Sequence, residues 1–179
     1  MGKGEWGVEV QAYNLMNIEN KKDKDEVYLK AEQGHLMTMA FLSALKSNFD
    51  HEKAFEVAAK GFANYMISYY NIALSSTTPG TQERFDKFRE LHRAGANKSN
   101  YIDIVESSPE VLKIRFSRCP FFEVMVVYGL SEFSSAYCLS DYAFTEECLP
   151  GVKFSRNHEI VKGDNYCDHT WMYIASNNK

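Results

Sequence analysis

The sequence has no long basic run and no excess of positive charge. Lys and Arg number 20 against 24 Asp and Glu, which gives a formal net charge of -4 at pH 7. Proteins that bind nucleic acid through its phosphates need a basic patch or stripe. We therefore expect no nucleic-acid partner.

The sequence also lacks a long apolar run and an apolar leader. No stretch reaches the roughly 18 apolar residues that indicate a membrane-spanning helix, so we expect no membrane segment. The start, Met1–Trp6, has no signal-peptide character, and Trp6 stands where a myristoylation signal carries Ser or Thr. These absences predict a cytoplasmic protein.

Cysteine is scarce, and no Cys-x-x-Cys pair occurs. The four cysteines are Cys119, Cys138, Cys148 and Cys167. As reduced thiols they serve as core residues, nucleophiles or metal ligands. Because no close Cys or His pair is present, we expect no metal and no cofactor. A zinc-type set of Cys119, Cys138, Cys167 and His169 is the alternative.

The composition is that of one globular domain. The chain has 179 residues, 45% hydrophobic and 14% aromatic, which is enough for one core and short for two. We predict a single domain over residues 1–179, with an uncertain lead-in over 1–24, a helical part over 25–95 and a sheet- and motif-bearing part over 100–175. The aromatic content suits a small-molecule pocket or a plain core, and the size is compatible with a homodimer.

Apolar periodicity predicts three helices in the first half. The first runs from near Asp25 to about Ser47. The second is capped by Asp50 and ends at the loop 75–80. The third covers about 81–94, with Gly95 as its stop.

In the second half the period changes to that of strands. The four predicted strands are 101–106, 111–117, 152–160 and 166–175. Two helices, 120–128 and 131–148, lie between the strand pairs, with Cys119 and Ser131 as their N-caps and Gly129 as the end of the first. This order predicts an α+β fold, with N-terminal helices packed on a mainly antiparallel four-stranded sheet and two further helices inserted between strand pairs.

Two cysteines on these helices are candidate nucleophiles. A helix N-terminus favours the thiolate of Cys119, although a free cysteine at such a position is more often a small buried residue. Cys138 and Asp141 are three residues apart and share a helix side with Ser131 and Ser134. That polar side predicts a pocket with Cys138 as nucleophile and Asp141 as acid, base or orienting group, or else a side that faces solvent.

The third predicted strand has two ionisable residues on what should be its core face, Arg156 and His158. A buried Arg needs a carboxylate, so we expect either an internal ion pair with Asp141 or Asp164, or a substrate carboxylate.

The last predicted strand carries Cys167 and His169 on one face and Asp168 on the other. His169 is a candidate to activate a thiol or donate a proton, and on an outward face it is only a surface residue. His35, inside the most apolar helix, is a further candidate for the site or a hydrogen-bonded core histidine.

An ordered set of short motifs supplies a resemblance. The motifs are Cys119-Pro120, Gly129-Leu130-Ser131-Glu132, Cys138-x-x-Asp141, Pro150, Phe154-x-Arg156 and Gly163-Asp164-x-x-Cys167-Asp168. The stretch from Cys119 to Tyr173 resembles the L-2-amino-thiazoline-4-carboxylic acid hydrolase family. The chain departs from the pattern at His169-Thr170-Trp171, where the family leads us to expect an aromatic residue directly after the Asp.

The resemblance implies hydrolysis of a small carboxylated molecule at a cyclic amidine-like carbon, or ring formation in a biosynthetic relative. Cys138 or Cys119 would attack, and Asp141 or His169 would move protons. Arg156 would bind the substrate carboxylate. The remaining candidates for substrate binding are His158, Cys167, Asp168, Glu132 and His35.

Two other functions compete with this thiol-dependent hydrolase. One is a small-molecule-binding or sensory domain without turnover, which the aromatic content also suits. The other is a metal-dependent hydrolase with the cysteines and His169 as ligands.

Overall fold

The computed structural model describes residues 25–174. The predicted lead-in over 1–24 and the predicted strand end at Ala175 lie outside the described residues. Within the described range the chain forms five α-helices and a four-stranded antiparallel sheet, which confirms the α+β class. No helix in that range combines the length and apolar character needed to cross a membrane.

The elements follow the predicted order. The helices are α1 (Glu26–Asn48), α2 (His51–Ala73), α3 (Gln82–Ala96), α4 (Pro120–Val127) and α5 (Ser134–Cys148). The strands are β1 (Ile102–Ser107), β2 (Val111–Phe116), β3 (Val152–Ser155) and β4 (Cys167–Tyr173). Two 3-10 helices cover Ser131–Phe133 and Ile160–Lys162.

The N-terminal helices begin where short polar side chains cap them. The Asp25 carboxylate accepts from the backbone N–H of Tyr28 at 2.9 Å, and the Asp50 carboxylate accepts from that of Lys53 at 2.9 Å. These bonds satisfy amides that have no partner inside a first helical turn. The predicted starts of α1 and α2 are therefore confirmed.

Two predicted helix boundaries are wrong. Gly95 does not end α3, because its φ is not positive and the helix continues to Ala96, with Asn97 as C-cap. Ser131 does not cap α5, because the chain first makes a 3-10 turn that begins at Ser131. By contrast, Gly129 ends α4 as predicted, with a φ of 65° that favours glycine.

The third strand is shorter than predicted. It ends at Ser155, so Arg156, His158 and Ile160 do not extend its core face. The chain leaves the sheet there because the backbone amides of residues 157–160 bond to side chains instead of to a neighbouring strand.

The sheet order is β1-β2-β4-β3, with every neighbouring pair antiparallel. On β4 the predicted alternation is confirmed, since Cys167 and Trp171 are buried and lie on the same face as His169. His169 is paired in register with Ile114 of β2, and Trp171 with Phe154 of β3. This face therefore carries His169 into an apolar surrounding.

The described residues group into two compact units, each with its own core. The first unit comprises the described chain up to Phe62, Cys119–Cys138 and Val161–Gly163, and the second comprises Ala63–Arg118, Leu139–Ile160 and the chain from Asp164 on. The first core includes Met39, Leu42, Val124, Met125 and Phe133. The second includes Tyr70 of α2, Phe85 and Phe88 of α3, and Leu112, Ile114, Phe144 and Trp171. In the second unit, helices α2 and α3 thus contribute to the layer that covers the sheet.

The buried side chain of Arg84 connects α3 to two other segments of the second unit. Arg84 on α3 is 4% exposed. Its guanidinium donates to the carbonyl oxygens of Cys148 at 2.6 Å, Leu74 at 2.9 Å and Thr77 at 3.1 Å. A guanidinium has five donors in a fixed fork, so one side chain bonds to three carbonyl groups, two of them in buried contacts.

Arg84→Ala tests this role. Loss of the guanidinium removes three hydrogen bonds and takes the Arg84 donor from the buried carbonyl of Cys148, so we expect the free energy of unfolding to fall by about 3 kcal/mol. Arg93→Ala, on the exposed side of the same helix, is the matched control and should cost well under about 1 kcal/mol. Urea unfolding measures both, and equal losses would contradict the account.

Candidate functional site

Arg156 lies at the centre of the candidate site, in the second unit. It follows β3 directly, and its side chain is 3% exposed. Its Nη1 donates to Oδ2 of Asp141 on α5 at 2.9 Å. Of the two carboxylate partners expected from the sequence, Asp141 is thus the one that pairs with Arg156. Asp164 instead accepts from the backbone N–H of Glu159 at 2.7 Å.

Glu159 is a second carboxylate on the same guanidinium, and sequence reasoning missed it. Its Oε2 lies 3.5 Å from Nη2 of Arg156. In a continuous strand, residues three apart face opposite sides, so the predicted strand concealed this pair. The spacing of three between an Arg and a Glu would have been a signal for a turn or helical segment.

His169 completes the group from β4. Its Nε2 lies 3.3 Å from Nη1 of Arg156 and 3.9 Å from Oδ2 of Asp141. Because a guanidinium can only donate, Nε2 accepts this hydrogen bond and the imidazole proton is on Nδ1. Burial, and then the charge of Arg156, lower the pKa of His169 to about 3. His169 is therefore neutral at neutral pH.

Aromatic rings surround the polar group. The Arg156 guanidinium lies 5.8 Å from the Tyr142 ring centroid and 5.7 Å from that of Phe154. The His169 ring lies 4.8 Å from Phe116 and 5.4 Å from Phe154. These rings limit the contact of the Arg156 guanidinium with water, which strengthens its electrostatic interactions with the carboxylates.

The environment of Asp141 gives it acid–base character. Burial raises the pKa of this carboxyl to about 7, because the opposing effect of Arg156 does not cancel the loss of water and Glu159 adds negative charge nearby. A carboxyl group that exchanges its proton near neutral pH has the property of a general acid or base.

Three side chains of the Gly163-to-Asp168 motif fix the loop that carries Arg156 and Glu159. The Asp168 carboxylate accepts from the backbone N–H groups of residues 157 and 158, at 2.8 and 2.6 Å. The Asp164 carboxylate accepts from residue 159, and Cys167 Sγ accepts from residue 160 at 3.1 Å. Four successive amides are thus satisfied without a strand partner, which positions Arg156 beside Asp141.

His158 is held apart from Arg156. Its Nδ1 lies 3.5 Å from Oδ2 of Asp168, and its Nε2 lies 3.3 Å from the hydroxyl of Tyr166. The prediction that Arg156 and His158 share a strand face is wrong, because β3 ends before both.

Burial raises the pKa of the Cys167 thiol, which disfavours its thiolate.

The two predicted nucleophiles lie in the first unit. Cys119 is the N-cap of α4, as predicted, and is half-buried. Cys138 is buried on α5, and so is Ser134, so this side of the helix does not face solvent. The remaining thiol, Cys148, is a core residue whose pKa is raised by burial.

Glu132 and His35 are the two other candidates in the first unit, and they contact different residues. Glu132 pairs with Lys46 of α1 at 2.6 Å. His35 packs edge-on against Phe121, with ring centroids 4.5 Å apart, and burial lowers its pKa.

In the described part of the chain, no group of three or more His, Cys, Asp or Glu side chains is arranged to bind a metal ion.

The raised pKa of Asp141 predicts that the difference in stability between the wild type and Asp141→Asn depends on pH. Between about pH 4 and pH 7 the folded chain retains a proton that the unfolded chain has released, so this residue contributes less stability as pH rises. The Asp141→Asn variant lacks the effect. Its free energy of unfolding, relative to wild type, should therefore rise with pH across that window, by up to about 1.4 kcal/mol per pH unit. Urea unfolding at several pH values checks this, and a difference independent of pH would contradict it.

Asp168→Ala tests the loop anchor. It removes two charge-assisted bonds to backbone amides, so we expect a loss of about 2–3 kcal/mol in unfolding free energy. Asp103→Ala, at an exposed position of β1, is the control and should change little. Similar losses in both variants would show that Asp168 does not anchor the loop.

Comparison with protein families identifies a matching family profile. The profile described as L-2-amino-thiazoline-4-carboxylic acid hydrolase matches residues 30–171. A search of curated proteins and a search of solved structures found no match. The match begins at residue 30, well before the stretch from Cys119 to Tyr173 on which the sequence resemblance rests, and it includes α2, α3, the first three strands and most of β4. The chain therefore belongs to the L-2-amino-thiazoline-4-carboxylic acid hydrolase family.

Proposed function

We propose that the protein is a hydrolase that opens a cyclic amidine-like ring in a small carboxylated molecule, with Asp141 as the group that moves the proton. Family membership supports a hydrolase-like function on a small molecule. The observation that carries the proposal is the position of Asp141, which is largely enclosed, pairs with the same Arg156 as Glu159, and has a pKa of about 7.

The reaction adds one water molecule across one ring bond. The water oxygen forms a bond to the amidine-like carbon, and the bond from that carbon to ring sulfur or nitrogen breaks. Asp141, as a carboxylate, takes one proton from the attacking water and delivers it to the leaving ring atom. The second water proton passes to the amidine nitrogen that loses its double bond as the carbonyl forms. Atoms and charge balance without a cofactor, and one carboxyl group serves as base and then as acid.

Arg156 and His169 position this carboxyl group. Arg156 donates to Asp141 and is also paired with Glu159, so its contacts favour a positioning role over the binding of a substrate carboxylate predicted from the sequence. His169 is neutral and accepts a hydrogen bond from Arg156. It therefore adds no charge that would weaken the attraction between the guanidinium and the two carboxylates.

A cysteine nucleophile is the other part of the sequence prediction. If Cys138 or Cys119 attacks first, the carbon is held as a thiol adduct before water releases it. Intact mass during turnover separates the two routes. Attack by thiol predicts a covalent adduct that is lost in the matching Cys→Ser variant. Direct attack by water predicts no adduct and activity in both variants.

Turnover of L-2-amino-thiazoline-4-carboxylate, the compound in the family's name, tests the proposed function. For the wild type, kcat/KM should rise as pH increases through about 7, because the carboxylate is the active form. Asp141→Asn should lower kcat by about 10²–10⁴-fold, the range for loss of a general acid or base. Asp103→Asn, at an exposed position of β1, should keep full activity.

Retention of activity by Asp141→Asn would contradict the role of Asp141. Binding of ring compounds without turnover by the wild type would favour the ligand-binding domain that the sequence also allows.

A further inference from the structure

Accessibility differs among the groups of the candidate site. The side chains of Asp141, Glu159 and His169 are 15%, 13% and 12% exposed, whereas that of Arg156 is 3% exposed. A ligand that reaches this cluster therefore meets carboxylates before it meets the guanidinium.

The charges of the described cluster also favour a cationic ligand over an anionic one. Arg156 carries one positive charge, Glu159 one negative charge, and His169 is neutral. The cluster is therefore neutral when Asp141 is protonated and negative when it is ionised. A ligand carboxylate would gain no net attraction, while a cation would gain a carboxylate partner.

We propose that Asp141 is the specificity-determining residue of this site and binds a cationic amidine group of the ligand, while Arg156 orients Asp141 and does not contact the ligand carboxylate. This inference rests on the proposed function, because it concerns the end of the substrate at which the ring is opened.

The geometry suits a planar cation. Arg156 already occupies Oδ2 of Asp141, and a carboxylate has acceptor positions on both oxygens for a second planar donor. The rings of Tyr142 and Phe154 pack edge-on with centroids 4.7 Å apart, and a planar cation beside Asp141 would join an environment that already holds one cation against aromatic rings. Arg156 lies within 6 Å of both rings, as a cation does in such contacts.

Binding of a cation has a signature that does not require turnover. The charged or titratable groups that act on Asp141 here are Arg156, Glu159, His169 and Cys167. Asp141 has a pKa of about 7, so it holds a proton at about pH 6. A cation that pairs with Asp141 must expel that proton, so at about pH 6 binding should release close to one proton, and at about pH 8 far less.

Isothermal titration calorimetry in buffers of different ionisation enthalpy measures this proton count. The probes are 2-amino-2-thiazoline, a cationic amidine without a carboxylate, and thiazole-4-carboxylate, an anion without an amidine. We expect the amidine to bind with proton release at about pH 6 and the anion to bind at least tenfold more weakly. Asp141→Asn should abolish the release, and Asp103→Asn should retain it.

Tighter binding of the anion, binding of the amidine without proton release, or no binding of the amidine at millimolar concentration would each overturn the inference. If Asp141→Asn does not fold, the difference between about pH 6 and pH 8 in the wild type decides the question. Turnover of L-2-amino-thiazoline-4-carboxylate by the same preparation separates the two claims. Proton release without turnover would support the inference and contradict the proposed function. Turnover without proton release would support the proposed function and contradict the inference.

Discussion

Arg156 carries a permanent positive charge on a side chain that is only 3% exposed. Such a charge is stable away from water only beside carboxylates and acceptors, and the second unit supplies them from separate parts of the chain. Helix α5 contributes Asp141, the loop after β3 contributes Glu159, and β4 contributes His169. The same burial that requires these partners also raises the pKa of Asp141, so the acid–base character of the site follows from the way the arginine is enclosed.

The loop that carries Arg156 depends on side chains further along the chain. Asp164, Cys167 and Asp168 accept hydrogen bonds from the four amides that follow Arg156, and Gly163, at a φ of 98°, allows the chain to turn between them. Residues that the sequence suggests as substrate contacts thus act on the backbone of the loop. Their effect on function is indirect, because they fix the position of the guanidinium and hence of Asp141.

Much of this arrangement could be predicted from the sequence, and the exceptions share one cause. Local signals located the helices, the hairpin and the need of Arg156 for a carboxylate such as Asp141. The apolar alternation of Val152 and Phe154 continues through Arg156, which predicted a longer strand than β3. Where the strand ends is decided by acceptors on Asp164 and Asp168, which are distant in sequence, so local periodicity could not place Glu159 beside Arg156.

The central claim is that Asp141 holds a proton up to neutral pH because it is buried with Arg156 and Glu159. The most direct test is the carboxyl-carbon chemical shift of Asp141, followed by NMR against pH in protein labelled at aspartate and assigned with Asp141→Asn. The account predicts a transition with a midpoint near 7 that is absent from the variant. A midpoint at about 4, the ordinary value for an aspartate, would contradict it.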